Sequence, residues 1–207
     1  MKKHTMDCVR EAYRIEAENL REMLGFLQED SFQKAVELLQ NAARIATTGC
    51  GHSGIACKHM AHLLCCIERP ARFISPAEAV HGATGYLLPG DVMIFASRGG
   101  KTKELLPIMD ICHKKNIRTI TITENLDSPL AKEADVVLKL HVNRETDRYN
   151  SQGTTSTTAL CMIFHTLQTA LIEETDYKEE SFACIHPAGA VGERLTQCYS
   201  DDPSVTK

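Results

Sequence analysis

Arg44-Ile-Ala-Thr-Thr-Gly-Cys-Gly-His-Ser-Gly54 is the stretch whose reading decides the fold. A short β-branched run ends in glycines, and a helix-compatible segment follows at once. In that strand–loop–helix arrangement the N–H groups of a helix N-terminus can cradle an anion. The pattern recurs in Asp91-Val-Met-Ile-Phe-Ala-Ser-Arg-Gly-Gly-Lys-Thr102, and a third polar cluster, Ser151-Gln-Gly-Thr-Thr-Ser-Thr-Thr158, opens the last long helical segment. Three such loops in one small domain point to a phosphorylated small molecule as ligand.

Outward from these loops, five apolar segments read as strands: 44–48, 71–75, 91–96, 117–122 and 135–140. Helical patterns at 54–67, 102–115 and 155–173 separate them, with shorter turns near 77–81 and 128–133. Alternation of this kind predicts an α/β fold with a parallel sheet covered on both faces. All three loops then fall at the carboxyl ends of strands, where open α/β sheets bind ligands. Ahead of the first strand, 7–28 and 32–42 read as helices, the second capped by Ser31. Residues 1–42 form a helical arm of the same domain, 43–200 its body and 201–207 a tail.

Composition bounds the function. A chain of 207 residues with 43% apolar and 24% charged content has the balance of one soluble globular domain. A formal net charge of −4 argues against a general binder of nucleic acid or acidic membrane. No stretch has the length and apolarity of a signal peptide or membrane span, so a cytoplasmic location is expected. The nine cysteines mostly fall in apolar runs, where free thiols behave as small hydrophobes. His59 and His62 stand near Cys57, Cys65 and Cys66, but no Cys-x-x-Cys or His-Glu-x-x-His spacing accompanies them, and no metal is expected. Gly49-x-Gly51-x-x-Gly54 satisfies the dinucleotide fingerprint literally. The second strand, however, ends in Ser75 and Pro76 where that fingerprint needs an acid for the ribose, so no nucleotide cofactor is expected.

Set in order, the loops resemble those of the SIS (sugar isomerase) domain, and most resemble the arabinose 5-phosphate isomerase branch in its form without CBS domains. The stretches that carry the likeness are Gly49-Cys-Gly-His-Ser-Gly54, Ser75-Pro-Ala-Glu-Ala-Val-His-Gly82, Ser97-Arg-Gly-Gly-Lys-Thr-Lys-Glu104, Thr154-Thr-Ser-Thr-Thr158 and His186-Pro-Ala-Gly-Ala-Val-Gly192. They span roughly residues 10–195, and the last run is the most specific to that branch. The resemblance implies a three-layer α/β sandwich around a five-stranded parallel sheet. It also implies a dimer or tetramer with active sites shared between subunits, and an aldose–ketose isomerase working through a cis-enediol. A non-catalytic sugar-phosphate-binding module and a 3-hexulose 6-phosphate isomerase are the alternatives.

By the same resemblance, the phosphate sits against Ser97, Gly99, Gly100 and Thr102, and against Thr154, Thr155, Ser156 and Thr157. Gly51, His52 and Ser53 complete the binding groups. Positions matching the family's active-site residues are His81, Glu104, Glu145 and His186. His186, from a neighbouring subunit, is expected to open the ring or move protons between oxygens. Glu145 is expected to take the carbon-bound proton, Glu104 to support acid–base work or bind a hydroxyl, and His81 to contact the sugar. Simpler roles compete. Glu104 suits the macrodipole of a first helical turn, Glu145 suits a solvated loop, His81 suits a turn cap, and the threonines suit N-capping. Arg98 and Lys101 suit either charge pairing or solvated surface. Three departures bear on the substrate: His52 stands where the branch usually has Lys, Gly99 stands where it usually has a hydroxyl residue, and the run Thr146-Asp-Arg-Tyr-Asn150 after Glu145 differs from the common version.

Overall fold

The computed structural model describes Lys2 and residues 4–200, with side chains up to Leu195; the 201–207 tail lies outside the described residues. Five parallel strands, β1 (Ile45–Gly49), β2 (Ala71–Phe73), β3 (Val92–Ala96), β4 (Arg118–Thr123) and β5 (Val136–Lys139), form one sheet in the order β2-β1-β3-β4-β5. Helices α1 (Thr5–Met23), α2 (Glu29–Asn41), α3 (Gly51–Cys65), α4 (Pro76–Ala79), α5 (Leu106–Lys114), α6 (Pro129–Glu133), α7 (Thr155–Glu174), α8 (Glu179–Ile185) and α9 (Gly189–Ser200) surround it.

Side-chain alternation along the strands divides the core in two. Ile45, Val92, Ile94, Ile120, Ile122 and Leu138 face α2, α3 and α7, together with Met23 of α1. Ala46, Met93 and Phe95 face α5, Ala79 of α4 and Leu130 of α6. β1 and β3 are buried at every position, as strands covered on both faces must be. The predicted three layers are there.

The chain leaves β1 for β2 at one edge and returns to β3 on the other side of β1, so the strand order reverses between β1 and β3. That crevice is where such sheets bind ligands. Backbone packing there is tight: a Cβ on Gly54 would stand 2.5 Å from the Gly49 carbonyl oxygen, so α3 seats against β1 only with glycine at 54.

Several boundaries differ from the predicted ones. The 7–28 helix ends at Met23, and Leu24–Phe26 winds into a 3₁₀ turn that stacks the Phe26 ring on His141, centroids 3.8 Å apart. α2 starts at Glu29, not 32. Ser31 is therefore inside the first turn and caps nothing, while Glu29 and Asp30 meet the macrodipole. α3 starts at Gly51 instead of 54, which puts Gly51, His52 and Ser53 in its first turn. α5 starts at Leu106 with Pro107 at its head, so residues 102–105 form a turn before the helix. The ends of α8 and α9 have no counterpart in the sequence reading. α1 is fastened by the fully buried Asn19, whose Nδ2 donates to the His141 carbonyl (3.1 Å) and whose Oδ1 accepts from the Asn143 amide (2.8 Å).

Candidate functional site

The loop after β3 is the most constructed part of the crevice. Ser97 Oγ and Thr102 Oγ1 are 2.8 Å apart, and Ser97 Oγ also accepts from the Gly100 amide (3.1 Å). Gly100 has φ +63°, and a Cβ there would run into the Ser128 side chain, so only glycine lets the loop close against the Ser128 cap of α6. Gly99 and Lys101 make no hydrogen bond among the described residues. Their amides are unspent donors beside the paired hydroxyls, the kind of group a loop of this shape can offer to an anion.

The loop after β5 carries Glu145, buried although charged. Arg98 Nη1 pairs with its Oε1 at 2.6 Å; the Ser156 amide (3.1 Å) and Thr154 Oγ1 (3.2 Å) donate to its Oε2. Burial pushes this carboxyl up, but hydrogen bonds from Ser156 and Thr154 together with the Arg98 charge outweigh it and hold the group below the usual carboxylate range. Glu145 therefore occupies the N-terminus of α7, the position where the sequence placed substrate phosphate. Thr154 is spent on Glu145 and Thr146, and Thr157 on the Gly153 carbonyl. Thr155 Oγ1 is buried without a partner. Loop 145–154 is itself wrapped on Asp147, which accepts from the amides of Tyr149 (2.9 Å), Ser151 (3.0 Å) and Gln152 (2.9 Å); the Gln152 bond leads the effects that lower its pKa.

The first loop meets the other two. The His52 ring packs on Gly153, where a Cβ would stand 2.8 Å from Nδ1. Cys50 is near enough to Glu104 that, after burial, the Glu104 charge helps to push its thiol up. Glu104 is exposed in the turn before α5, so the expected first-turn macrodipole role does not apply. The structure thus brings together Ser97, Gly99, Gly100, Thr102, Glu104, Gly51, His52, Ser53, Glu145 and the head of α7.

His81 and His186 stand apart from this group. His81 is exposed just after α4, its amide bonded to the Glu78 carbonyl (3.1 Å). His186 ends α8, its ring tilted over Phe182 (centroids 4.8 Å) and its Nδ1 buried with no partner. Among the described residues, the hydrogen bond and ring contact of His186 both go to Phe182 and none goes to the β1–β3 crevice.

Arg98 and Glu124 emerge as site residues that the sequence did not assign. Arg98 Nε bonds Glu124 Oε2 (2.8 Å) while its Nη1 holds Glu145, so one guanidinium bridges three loops. No local motif marks Glu124; only the pairing of β3 with β4 brings it beside Arg98. His59 turns to His165 of α7 (Nε2 to Nε2, 3.1 Å) and His62 to Cys66. Among the described residues no three His, Cys, Asp or Glu side chains converge on a metal-sized position, the described cysteines are all unpaired, and no helix is long and apolar enough to cross a membrane.

Known proteins resemble this chain in sequence and fold. Arabinose 5-phosphate isomerase of Francisella tularensis is 35% identical over 189 residues, covering 89% of this chain and 58% of that protein. A counterpart from Escherichia coli is 35% identical over 194 residues, covering 93% of this chain and 61% of its own length. The chain thus spans about three fifths of the curated relatives it matches. The solved structure of a candidate sugar-phosphate isomerase from Listeria monocytogenes superposes with a TM-score of 0.88 at 37% identity, covering 91% of this chain and all of that one. The SIS domain model matches residues 38–170, from the end of α2 through most of α7. The chain belongs to the SIS domain family.

Proposed function

We propose that the chain is an aldose–ketose isomerase of sugar phosphates, with an arabinose 5-phosphate-type pentose phosphate as its substrate. The observation that carries this reading is the Ser97–Thr102 cradle, with its free amides, set beside two carboxylates at the strand-order reversal. Relatives about 35% identical are arabinose 5-phosphate isomerases, which supports the substrate class. The phosphate docks on Ser97, Gly99, Gly100 and Thr102, because the head of α7 already holds Glu145.

Isomerisation then proceeds through a cis-enediol. Glu145, ionised and oriented by its donors, takes the proton from the carbon beside the carbonyl and returns it to the neighbouring carbon. Glu104, exposed and next to loop 1, binds hydroxyls or relays protons between oxygens. His186 and His81 reach the sugar from a neighbouring subunit of a homodimer or homotetramer, His186 opening the ring. Two observations support a shared site: the distance of His186 from the crevice, and its unpartnered Nδ1.

The test is solvent exchange by NMR. The protein is incubated in D2O with arabinose, ribose and ribulose 5-phosphates and hexose 6-phosphates. Washout of the carbon-bound proton beside the carbonyl is expected for one pentose phosphate, and its loss in His186→Ala and Glu145→Gln. Binding without exchange for every sugar would instead favour a non-catalytic sugar-phosphate module. The observation behind that second reading is His52, an imidazole that stands where the branch usually carries lysine.

A further inference from the structure

We infer that Arg98 is a positioning residue that holds the Glu145 carboxylate in place, and so couples the phosphate loop to the carbon base. The inference deepens the isomerase reading and rests on it.

The geometry is specific. Arg98 belongs to the Ser97–Thr102 loop, one residue before Gly99, yet its guanidinium turns away from the cradle. Nη1 reaches Glu145 at 2.6 Å and Nε reaches Glu124 at 2.8 Å. The Arg98 carbonyl is held as firmly: it accepts from the Glu124 amide (2.9 Å) and from Thr123 Oγ1 (2.9 Å). Backbone and side chain are thus both fixed on the end of β4. Glu124 is anchored in turn, its carbonyl receiving Lys139 Nζ of β5 and its Oε1 the Val142 amide (3.4 Å).

A guanidinium held at two nitrogens cannot swing freely toward an incoming phosphate. A planar fork fixed on two carboxylates fits a role in orientation. Every group hydrogen-bonded to the Glu145 carboxylate is a donor: Arg98 from the β3–α5 loop, Thr154 Oγ1 just before α7 and the Ser156 amide in its first turn; the Glu145 backbone N–H in turn donates to Asn150 Oδ1 of its own loop. No second carboxylate touches it, since Glu124 faces it only through Arg98. Glu145 is the base form of a carboxyl group at neutral pH, and any movement of the phosphate loop is transmitted to it by one side chain.

The test follows the Glu145 carboxyl directly. The full-length protein is labelled with glutamate carrying 13C at the side-chain carboxyl, and the Glu145 signal is assigned by its absence in Glu145→Gln. In the wild-type protein this signal is expected to titrate below those of the exposed glutamates. In Arg98→Gln its midpoint moves up, because an opposite charge at contact distance is lost. Arg98→Lys, which keeps the charge but not the fork, shifts it less. The acid limb of turnover of arabinose 5-phosphate moves with the carboxyl.

An unmoved Glu145 titration in a folded Arg98 variant overturns the inference. A raised KM with an unmoved pH profile does the same, because it would make Arg98 a phosphate ligand. If Arg98→Gln does not fold, the Lys variant carries the same reading. Absence of turnover in the wild-type protein would reject the isomerase function alone, and the carboxyl titration would still decide the role of Arg98.

Discussion

The Arg98–Glu145 region and the His186 region differ in how their polar groups are satisfied. Around Arg98, two carboxylates, two hydroxyls and several amides answer one another across three loops. Around His186, an imidazole nitrogen is buried with no partner, and Ile185 and Val191 on either side are 45% and 43% exposed. A buried polar atom without a hydrogen bond costs free energy, and exposed aliphatic side chains leave their burial energy unrealised. One half of the site is complete within the chain, and the other half has the character of a surface awaiting a partner. A crevice that binds the phosphate and a separate helical end that brings the ring-opening group are the two halves of the proposed shared site.

The largest expected effect comes from the incomplete half. His186→Ala removes a ring that rests on Phe182 and makes no side-chain hydrogen bond among the described residues, so turnover of arabinose 5-phosphate is expected to fall about 10²–10⁴-fold while the melting temperature changes little. Unchanged turnover would remove His186 from the chemistry and sink the comparison.

In the complete half, stability and activity fall together. Gly100→Ala forces a side chain into the left-handed region at φ +63° and against Ser128, with Thr123 Oγ1 at 2.9 Å. A loss of about 1–3 kcal/mol in urea unfolding is expected, with sugar-phosphate binding lost as the cradle opens. A variant as stable as the wild type would show that the loop closes without the left-handed glycine. Farther out, Asn19→Ala strips two hydrogen bonds from a fully buried side chain and leaves the His141 carbonyl and the Asn143 amide unpaired. About 1–3 kcal/mol is expected here too, read by the same unfolding experiment. The effect on turnover should be small, because the Asn19 side chain reaches only residues 141–143.

The same contrast explains what the sequence disclosed. The strands were legible because fully buried parallel strands leave unbroken apolar runs: 91–96 anticipates Val92–Ala96, and 117–122 anticipates Arg118–Thr123 to within a residue. Loops that close on their own glycines and hydroxyls were legible too, Ser97–Thr102 above all. Contacts that depend on tertiary pairing were not. The sequence offers Glu145 as a base or as a solvated loop charge but not its contact with Arg98, which β5 and α7 create, and nothing near Glu124 in sequence announces its partner. Helix starts were displaced wherever glycine stands at the junction. Gly51 opens α3 at φ +54°, a conformation that resembles a loop signal, and Pro107 moved the head of α5 four residues on. α8 escaped because its apolar residues, such as Ile185, remain exposed and show no buried face, and in α9 Val191 is exposed while Leu195 is buried.

The smallest effect sharpens the comparison from outside the site. His59 and His165 tie α3 to α7 on the outer face, Nε2 to Nε2 at 3.1 Å, with ring planes at 89°. One nitrogen must donate and the other accept, so the contact requires at least one neutral ring. Burial, then His165 and His62, lower the His59 pKa below its ordinary value. A histidine lowered on folding binds its proton more readily in the unfolded chain, so its contribution is complete above about pH 6.5 and is lost as pH falls through that value. His165→Gln keeps a hydrogen-bonding group and removes the competing charge. The drop in melting temperature between about pH 7.5 and about pH 5.5 should therefore be smaller in the variant than in the wild type. Equal drops would show that the pair carries no acid sensitivity. A larger drop in the variant would show that the α3–α7 contact depends on the second imidazole itself, and the outer face would then belong with the braced half of the molecule.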